Sequence, residues 1–269
     1  MSKKVIIAGL PNAGKTTFIA ALNGMIRKPN ATTLASNGVS KEQTYLNGCT
    51  RSWMSYTKVD HSTSEAPHFI DFPLKDTSSD TTLTLELPDV KGELFEYIIN
   101  NDFDEELEKY CKGADGILFF INEVDSIVLK PEAKKALGES KEQPKEASKD
   151  DEIAVSAGQM TDMGRNLLVL KYLRQTIGDV RLVVAVSSWD EETQYNTIDD
   201  YFIKKVPGLY NYIRSHFSEY KLYGVSAQGI NYAKGTDGLE EKMGSNERVY
   251  VFDTEKHYDI TLPIAYLIR

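Results

Sequence analysis

Val5-Ile6-Ile7-Ala8-Gly9-Leu10-Pro11-Asn12-Ala13-Gly14-Lys15-Thr16-Thr17 is the stretch that decides the fold. An apolar, β-branched run passes directly into G-x-x-x-x-G-K-T, and a helix-forming segment, Phe18-Ile19-Ala20-Ala21-Leu22, follows at once. Strand, glycine-framed loop and helix in that order make a P-loop. A loop that wraps a phosphate with successive backbone N–H groups needs residues without Cβ where the anion approaches or where φ is positive, and Gly9 and Gly14 stand there. Pro11, Asn12, Ala13 and Thr17 complete the cradle. Lys15 supplies a flexible point charge to the β- and γ-phosphates, Thr16 offers a hydroxyl to Mg²⁺, and the helix directs its positive end at the anion.

Composition narrows what can surround this loop. At 269 residues with 41% hydrophobic content, the chain fits one large α/β domain spanning 1–269. A net charge of −9 gives no attractive field for a nucleic-acid backbone or an anionic membrane, so neither is the expected partner. Cys49 and Cys111 lie far apart and match no metal-ligand spacing, which suits a reducing, cytoplasmic setting. No apolar run approaches the ~18 residues of a membrane span. The N-terminal apolar segment runs straight into the P-loop and so is not expected to be a removable signal.

Along the chain, 28–38 is rich in turn formers and predicts a loop or short helix. From Lys41 to Tyr56, Tyr45, Cys49, Trp53 and Tyr56 recur at helical spacing and predict an amphipathic helix. A polar loop over 57–67 leads to a β-hairpin, Phe69–Leu74 with Thr82–Pro88, in which Leu83, Leu85 and Leu87 alternate with polar residues. Pro73 suits an edge strand. The second hairpin strand runs into Asp89-Val90-Lys91-Gly92-Glu93, a D-x-x-G sequence. A carboxylate there, at the end of a strand beside the P-loop strand, is where a nucleotide-bound Mg²⁺ needs a ligand, and Gly92 can offer a backbone N–H to a γ-phosphate.

Residues 94–112 predict an acidic helix and Gly116–Ile121 a strand buried on both faces. Between Lys130 and Glu152 the chain carries six Lys, seven Asp or Glu and two Pro, so 128–160 is expected to be a charged, mobile insertion. A helix from Met163 to Ile177, a strand over Arg181–Val186 ending in Ser187-Ser188-Trp189-Asp190, and a loop and helix through Phe217 follow. A short strand over Lys221–Val225 then ends in Ser226-Ala227-Gln228-Gly229, and a closing strand and short helix complete the chain. The tyrosines between Tyr195 and Tyr232 fit packing on these elements. With every motif loop at the carboxyl end of a strand, the expectation is a three-layer α/β sandwich with its ligand above those ends. The hairpin makes the mostly parallel sheet a mixed one.

GLPNAGKT, DVKG, SSWD and SAQ, in that order and each at a strand end, resemble the successive motifs of Ras-like (translation-factor class) P-loop GTPases. More narrowly, the hairpin ahead of LELPDVKGE, the phrases VSSWD and YGVSAQG, and the ending DITLPIAYLI resemble the bacterial double-GTPase group, whose domains often occur in pairs. The resemblance implies small G-domain topology, GTP/GDP and Mg²⁺ as ligands, and a protein effector or paired GTPase domain as partner. It implies that Asp190 accepts from N1 and N2 of guanine while Ser226 and Ala227 present N–H groups to O6. The Asn-Lys pair that usually stands ahead of this Asp is missing; Ser188 and Trp189 precede Asp190, and two places are open to Trp189: along the base, where the Lys stem normally lies, or in the core, as for any Trp that follows a buried strand. Thr63, with Thr57 behind it, is the expected switch threonine on Mg²⁺, beside Thr16 and Asp89. Glu93 stands where such enzymes carry a water-orienting Gln, which with Lys15 and Gly92 makes the expected catalytic set and slows hydrolysis. Two other readings stay open: a nucleotide-binding scaffold that does not turn over, and a signal-recognition-type GTPase or nucleotide kinase, the last two of which favour an all-parallel sheet.

Overall fold

A computed structural model describes residues 3–27, 32–57, 59, 68–79, 81–89, 95, 98–99, 105–122, 160–192, 194–229 and 247–269. The architecture grows outward from β1 (Lys3–Ala8), whose last four residues are fully buried. β1 pairs in parallel with β4 (Thr82–Asp89) on one side and β5 (Gly116–Ile121) on the other. β6 (Arg181–Ser187) and β7 (Tyr220–Ser226) extend the parallel run beyond β5. The predicted hairpin is present: β3 (His68–Asp76) lies antiparallel to β4, with Ile70 opposite Leu87, Phe72 opposite Leu85 and Leu74 opposite Leu83. Short antiparallel strands finish both edges, β2 (Leu34–Ser36) on β3, and β8 (Tyr250–Phe252) with β9 (Lys256–His257) beyond β7. Among the described residues the strands form one sheet in the order β2-β3-β4-β1-β5-β6-β7-β8-β9.

Side chains alternate between the two faces of a strand, so the central strands feed two cores. Val5, Ile7, Leu118, Phe120, Val183 and Ala185 pack under α1 (Lys15–Met25), α2 (Gln43–Met54) and the C-terminal helix α7 (Leu262–Ile268). Ile6, Ala8, Ile117, Phe119, Leu182 and Val184 pack under α3 (Glu105–Cys111), α4 (Asp162–Ile177), α5 (Ile198–Lys205) and α6 (Pro207–His216). Helix, sheet and helix make the three layers expected of this pattern. Cys49 and Cys111 are both buried and unbridged, and burial pushes the Cys111 thiol up to about 12. Among the described residues no helix is long and apolar enough to cross a membrane.

Four expectations needed correction or lie wholly or partly outside the described residues. The stretch 28–38 contains a strand, β2, and not only a loop or short helix: Leu34 is buried and faces Asp76 across the ladder. The loop before Phe217 carries an additional helix, α5, started by Thr197, whose hydroxyl accepts from the Asp200 N–H at 3.1 Å. Val206 alone then separates it from α6, which Pro207 opens. Of the helix expected over 94–112, only α3 is described as a helix element. The expected insertion over 128–160 lies outside the described residues except for Met160. Pro73 sits where β2 stops covering β3; its carbonyl accepts from Asn37 N–H at 3.0 Å, and no Pro N–H is left to satisfy.

Candidate nucleotide site

β1 delivers the chain to the carboxyl edge of the sheet, and the backbone there turns through positive φ at Gly9 (143°), Asn12 (60°) and Gly14 (87°). Such left-handed turns point successive N–H groups inward and form an anion-binding nest. The two glycines are required by space as well as by φ. A Cβ at Gly9 would run into the Phe120 carbonyl oxygen, and one at Gly14 would lie 2.7 Å from Ser187 Cβ. Gly14 is also the N-cap of α1 and makes no side-chain cap, so the first N–H groups of the helix face the loop.

Lys15 Nζ donates to the carbonyls of Gly9 and Leu10, both at 2.7 Å, which holds the ammonium across the loop it serves. Its Nζ also lies 5.9 Å from the Phe95 ring centroid. Burial costs the charged form its hydration, and the Lys15 pKa is pushed down to about 8. The loop is braced from the next two strands. Asn122, just past β5, donates Nδ2–H to the Asn12 carbonyl at 3.2 Å and accepts from Ser187 Oγ at 3.2 Å. Asn122, which immediately follows a buried strand, did not stand out in the sequence, and Ser187 was read only as the first residue of SSWD, with no part in bracing the P-loop.

The second half of the site lies at the ends of β6 and β7. Ser188 adopts φ 55°, which turns Asp190 outward in a short 3₁₀ segment while Trp189 goes inward. Trp189 thereby takes the core, the second of its two expected places, and not the place along a base. It is 4% exposed, stacks on Phe252 at 5.4 Å between centroids and meets Tyr201 edge-on at 5.6 Å. Gly224 makes room for it, since a Cβ there would overlap the indole. Asp190 is part-exposed, and burial together with its charge pushes the Tyr250 hydroxyl up to about 12. Tyr250 is in turn the ladder partner of Ser226, so Asp190 and the end of β7 share one neighbourhood. Ser226 is fully buried, with Oγ donating to the Arg248 carbonyl at 2.9 Å; its backbone, with that of Ala227, forms the loop edge. Gln228 is 8% exposed, and among the described residues neither polar atom of its amide meets a partner.

Asp89 closes β4 opposite His68, and β4 is parallel to β1, so the residue stands at the same sheet edge as the P-loop. Pro11, Ala13, Thr16 and Thr17 are all within the loop and first turn of α1. Thr57 is exposed and its hydroxyl donates to the Ser52 carbonyl at 3.0 Å. Thr63, Gly92 and Glu93 lie outside the described residues.

A P-loop opening the first helix, a mixed sheet with a hairpin on one side of β1, and motif loops gathered at one sheet edge define a P-loop protein of the α/β class. The model of the Double-GTPase 1 family matches residues 6–267, and the chain belongs to that family. Among solved structures it is similar to the GDP-bound RocCORdC of Methanosarcina barkeri Roco2, at 12% identity and TM-score 0.37, covering 94% of this chain and 52% of that one. It is also similar to a nucleolar GTP-binding protein 1 of Plasmodium falciparum, at 12% identity and TM-score 0.39, covering 83% and 76% of the two chains. The chain thus spans about half the length of the Roco2 chain. No curated relative matches the sequence.

Proposed function

We propose that this chain binds GTP and GDP at the P-loop, hydrolyses GTP slowly with Mg²⁺, and signals the state of the phosphate site to a protein effector or a paired GTPase domain in the cytoplasm. The observation that carries the reading is convergence: the nest at Gly9 to Gly14, Lys15, Asp89, Asp190 and the Ser226–Ala227 loop all stand at one edge of one sheet. An α/β sheet takes its ligand at that edge. Membership of the Double-GTPase 1 family favours guanine nucleotide over other phosphates.

Each group then has a task set by its chemistry. Lys15 shifts from loop carbonyls toward β- and γ-phosphate oxygens, and the N-terminal end of α1 adds its partial positive charge. Thr16 and Asp89, with Thr63 from the preceding loop, would hold Mg²⁺, which supplies charge neutralisation at the phosphate oxygens. Asp190 accepts from the two adjacent donors of guanine, a pattern adenine lacks, and the N–H groups of Ser226 and Ala227 donate to O6. The buried Gln228 amide is a polar group of the kind a ligand satisfies. Gly92 offers an N–H to the γ-phosphate. Glu93 orients the attacking water but repels the γ-phosphate, which keeps the rate low. The whole chain acts as one such domain, with 128–160 inserted between the elements that carry the site.

Two measurements test this. Equilibrium binding of GDP, GTP, ADP and ATP with Mg²⁺ should show micromolar or tighter guanine binding with adenine at least tenfold weaker; equal affinities would remove Asp190 and the Ser226–Ala227 loop as base readers. Single-turnover phosphate release should be slow but measurable and drop further in Glu93→Ala with GTP affinity nearly unchanged, the mark of a contact made only in the transition state. Unaltered release in that variant would take Glu93 out of the mechanism.

A further inference from the structure

The loop assigned to the base is held from α2, an element that contributes nothing to the P-loop or to the base motifs. Trp53 is 1% exposed and donates its indole Nε1–H to the Ala227 carbonyl at 2.8 Å. Arg248, also 1% exposed, places its guanidinium 4.2 Å from the centroids of both the Trp53 and Tyr56 rings. Its Nη2 donates to the Trp53 carbonyl at 3.1 Å. From the other side, the Arg248 carbonyl accepts from Ser226 Oγ, and the backbone of Gly229, at φ 69°, lies so close that a Cβ there would come within 2.8 Å of the Arg248 carbonyl oxygen. The Trp53 ring itself rests on Gly24 of α1, where a Cβ would sit 2.8 Å from Cζ3. Tyr56 has φ 55°, a conformation a bulky residue keeps only when its surroundings hold it.

We propose that Trp53, held in place by Arg248, is a positioning residue for base recognition. Anchoring the Ala227 carbonyl fixes the 227–228 peptide plane and with it the backbone rotation at Ala227, while Ser226 is held by its own bond to the Arg248 carbonyl; together these keep the N–H groups of Ser226 and Ala227 in the direction an O6 acceptor requires. The bond is buried among apolar and aromatic groups, where a hydrogen bond is strong and an unpaired carbonyl costly, so loss of the indole N–H drives the loop to turn toward another donor. The inference rests on the reading above that this loop faces guanine O6.

The test compares Trp53→Phe, which keeps a ring and removes the N–H, with the unaltered protein for three ligands: GDP, inosine diphosphate, which lacks the 2-amino group, and 2-aminopurine riboside diphosphate, which lacks O6 and the N1 proton; the N1 proton is read by Asp190 in both proteins alike, so a change in that preference between them reports O6. Trp53→Phe should weaken GDP by about tenfold. Preference for GDP over the 2-aminopurine nucleotide should shrink by about the same factor, while preference over inosine diphosphate, set by Asp190, stays within twofold. A merely structural role would move both preferences alike or neither, and either of those results overturns the proposal. Arg248→Lys, which loses the planar stack, should give the same selective loss. In the unaltered protein, saturating GDP should slow hydrogen exchange of the Trp53 indole N–H by the reciprocal factor, since coupling runs both ways; exchange indifferent to GDP overturns the proposal without any variant needing to fold. An unaltered protein with no guanine preference would instead overturn the nucleotide reading itself.

Discussion

Lys15 carries the sharpest predictions at the scale of single residues. Its ammonium is desolvated and bonded only to loop carbonyls among the described residues, with its pKa down at about 8. Phosphate oxygens favour the charged form, so nucleotide binding lifts that pKa and takes up a proton above pH 8. GDP affinity should therefore be flat below about pH 7.5 and fall above pH 8, by up to tenfold per unit. The nucleotide-free fold should move the opposite way. Its unfolded chain holds the Lys15 proton up to 10.5 while the folded chain releases it near 8, so the unfolded state binds more protons between those values and stability rises with pH across them. Denaturant titrations at pH 7.5 and 9.5 check the sign, and Lys15→Ala should abolish both trends. For Asp190→Asn we predict weaker GDP binding and a shift toward xanthine nucleotides, because an amide can donate where the carboxylate only accepts; affinities for GDP and XDP decide it.

The P-loop is legible in the sequence because it is local: Gly9, Gly14, Lys15 and Thr16 fall within one loop and one helical turn. The sequence leaves two places open to Trp189 because a lone aromatic beside a motif gives no sign of which way it points. Its burial depends on Gly224, on Tyr201 and on Phe252, each supplied by a different element. The bond from Trp53 to Ala227 joins residues 174 positions apart, and no local pattern could announce it.

Among elements, the central strands and the β3–β4 hairpin were readable because burial on both faces leaves a continuous apolar run and burial on one face leaves an alternation. β2 escaped, since a three-residue strand with one buried side chain has no period to detect. The brace between β5, β6 and the P-loop belongs to this scale. Removing it with Asn122→Ala leaves the Asn12 carbonyl without that donor and should weaken GDP about fivefold with little change in thermal midpoint, a loss on the order of 1 kcal/mol. Gly14→Ala is more severe, because the new Cβ would meet Ser187 at a position with φ 87°. We expect it to cost about 1–3 kcal/mol of stability by chemical denaturation, and to remove nucleotide binding.

For the whole molecule, the family match over residues 6–267 takes in both halves of the site, the one built around β1 and the one built around β6 and β7. A ligand that bridges the halves stabilises the entire sheet, and GDP at 100 times its Kd should add roughly 2.7 kcal/mol. For a chain of this size that corresponds to a rise in thermal midpoint on the order of 5 °C, reduced when Mg²⁺ is chelated. The measurement that bears most directly on the central claim is calorimetric titration of the unaltered protein with GDP and with ADP, in Mg²⁺, beside Lys15→Ala titrated with GDP. The account predicts one site per chain for GDP, at least tenfold weaker ADP binding, and no detectable GDP binding to a folded Lys15→Ala. GDP binding of equal strength in Lys15→Ala, or none in the unaltered protein, would contradict it.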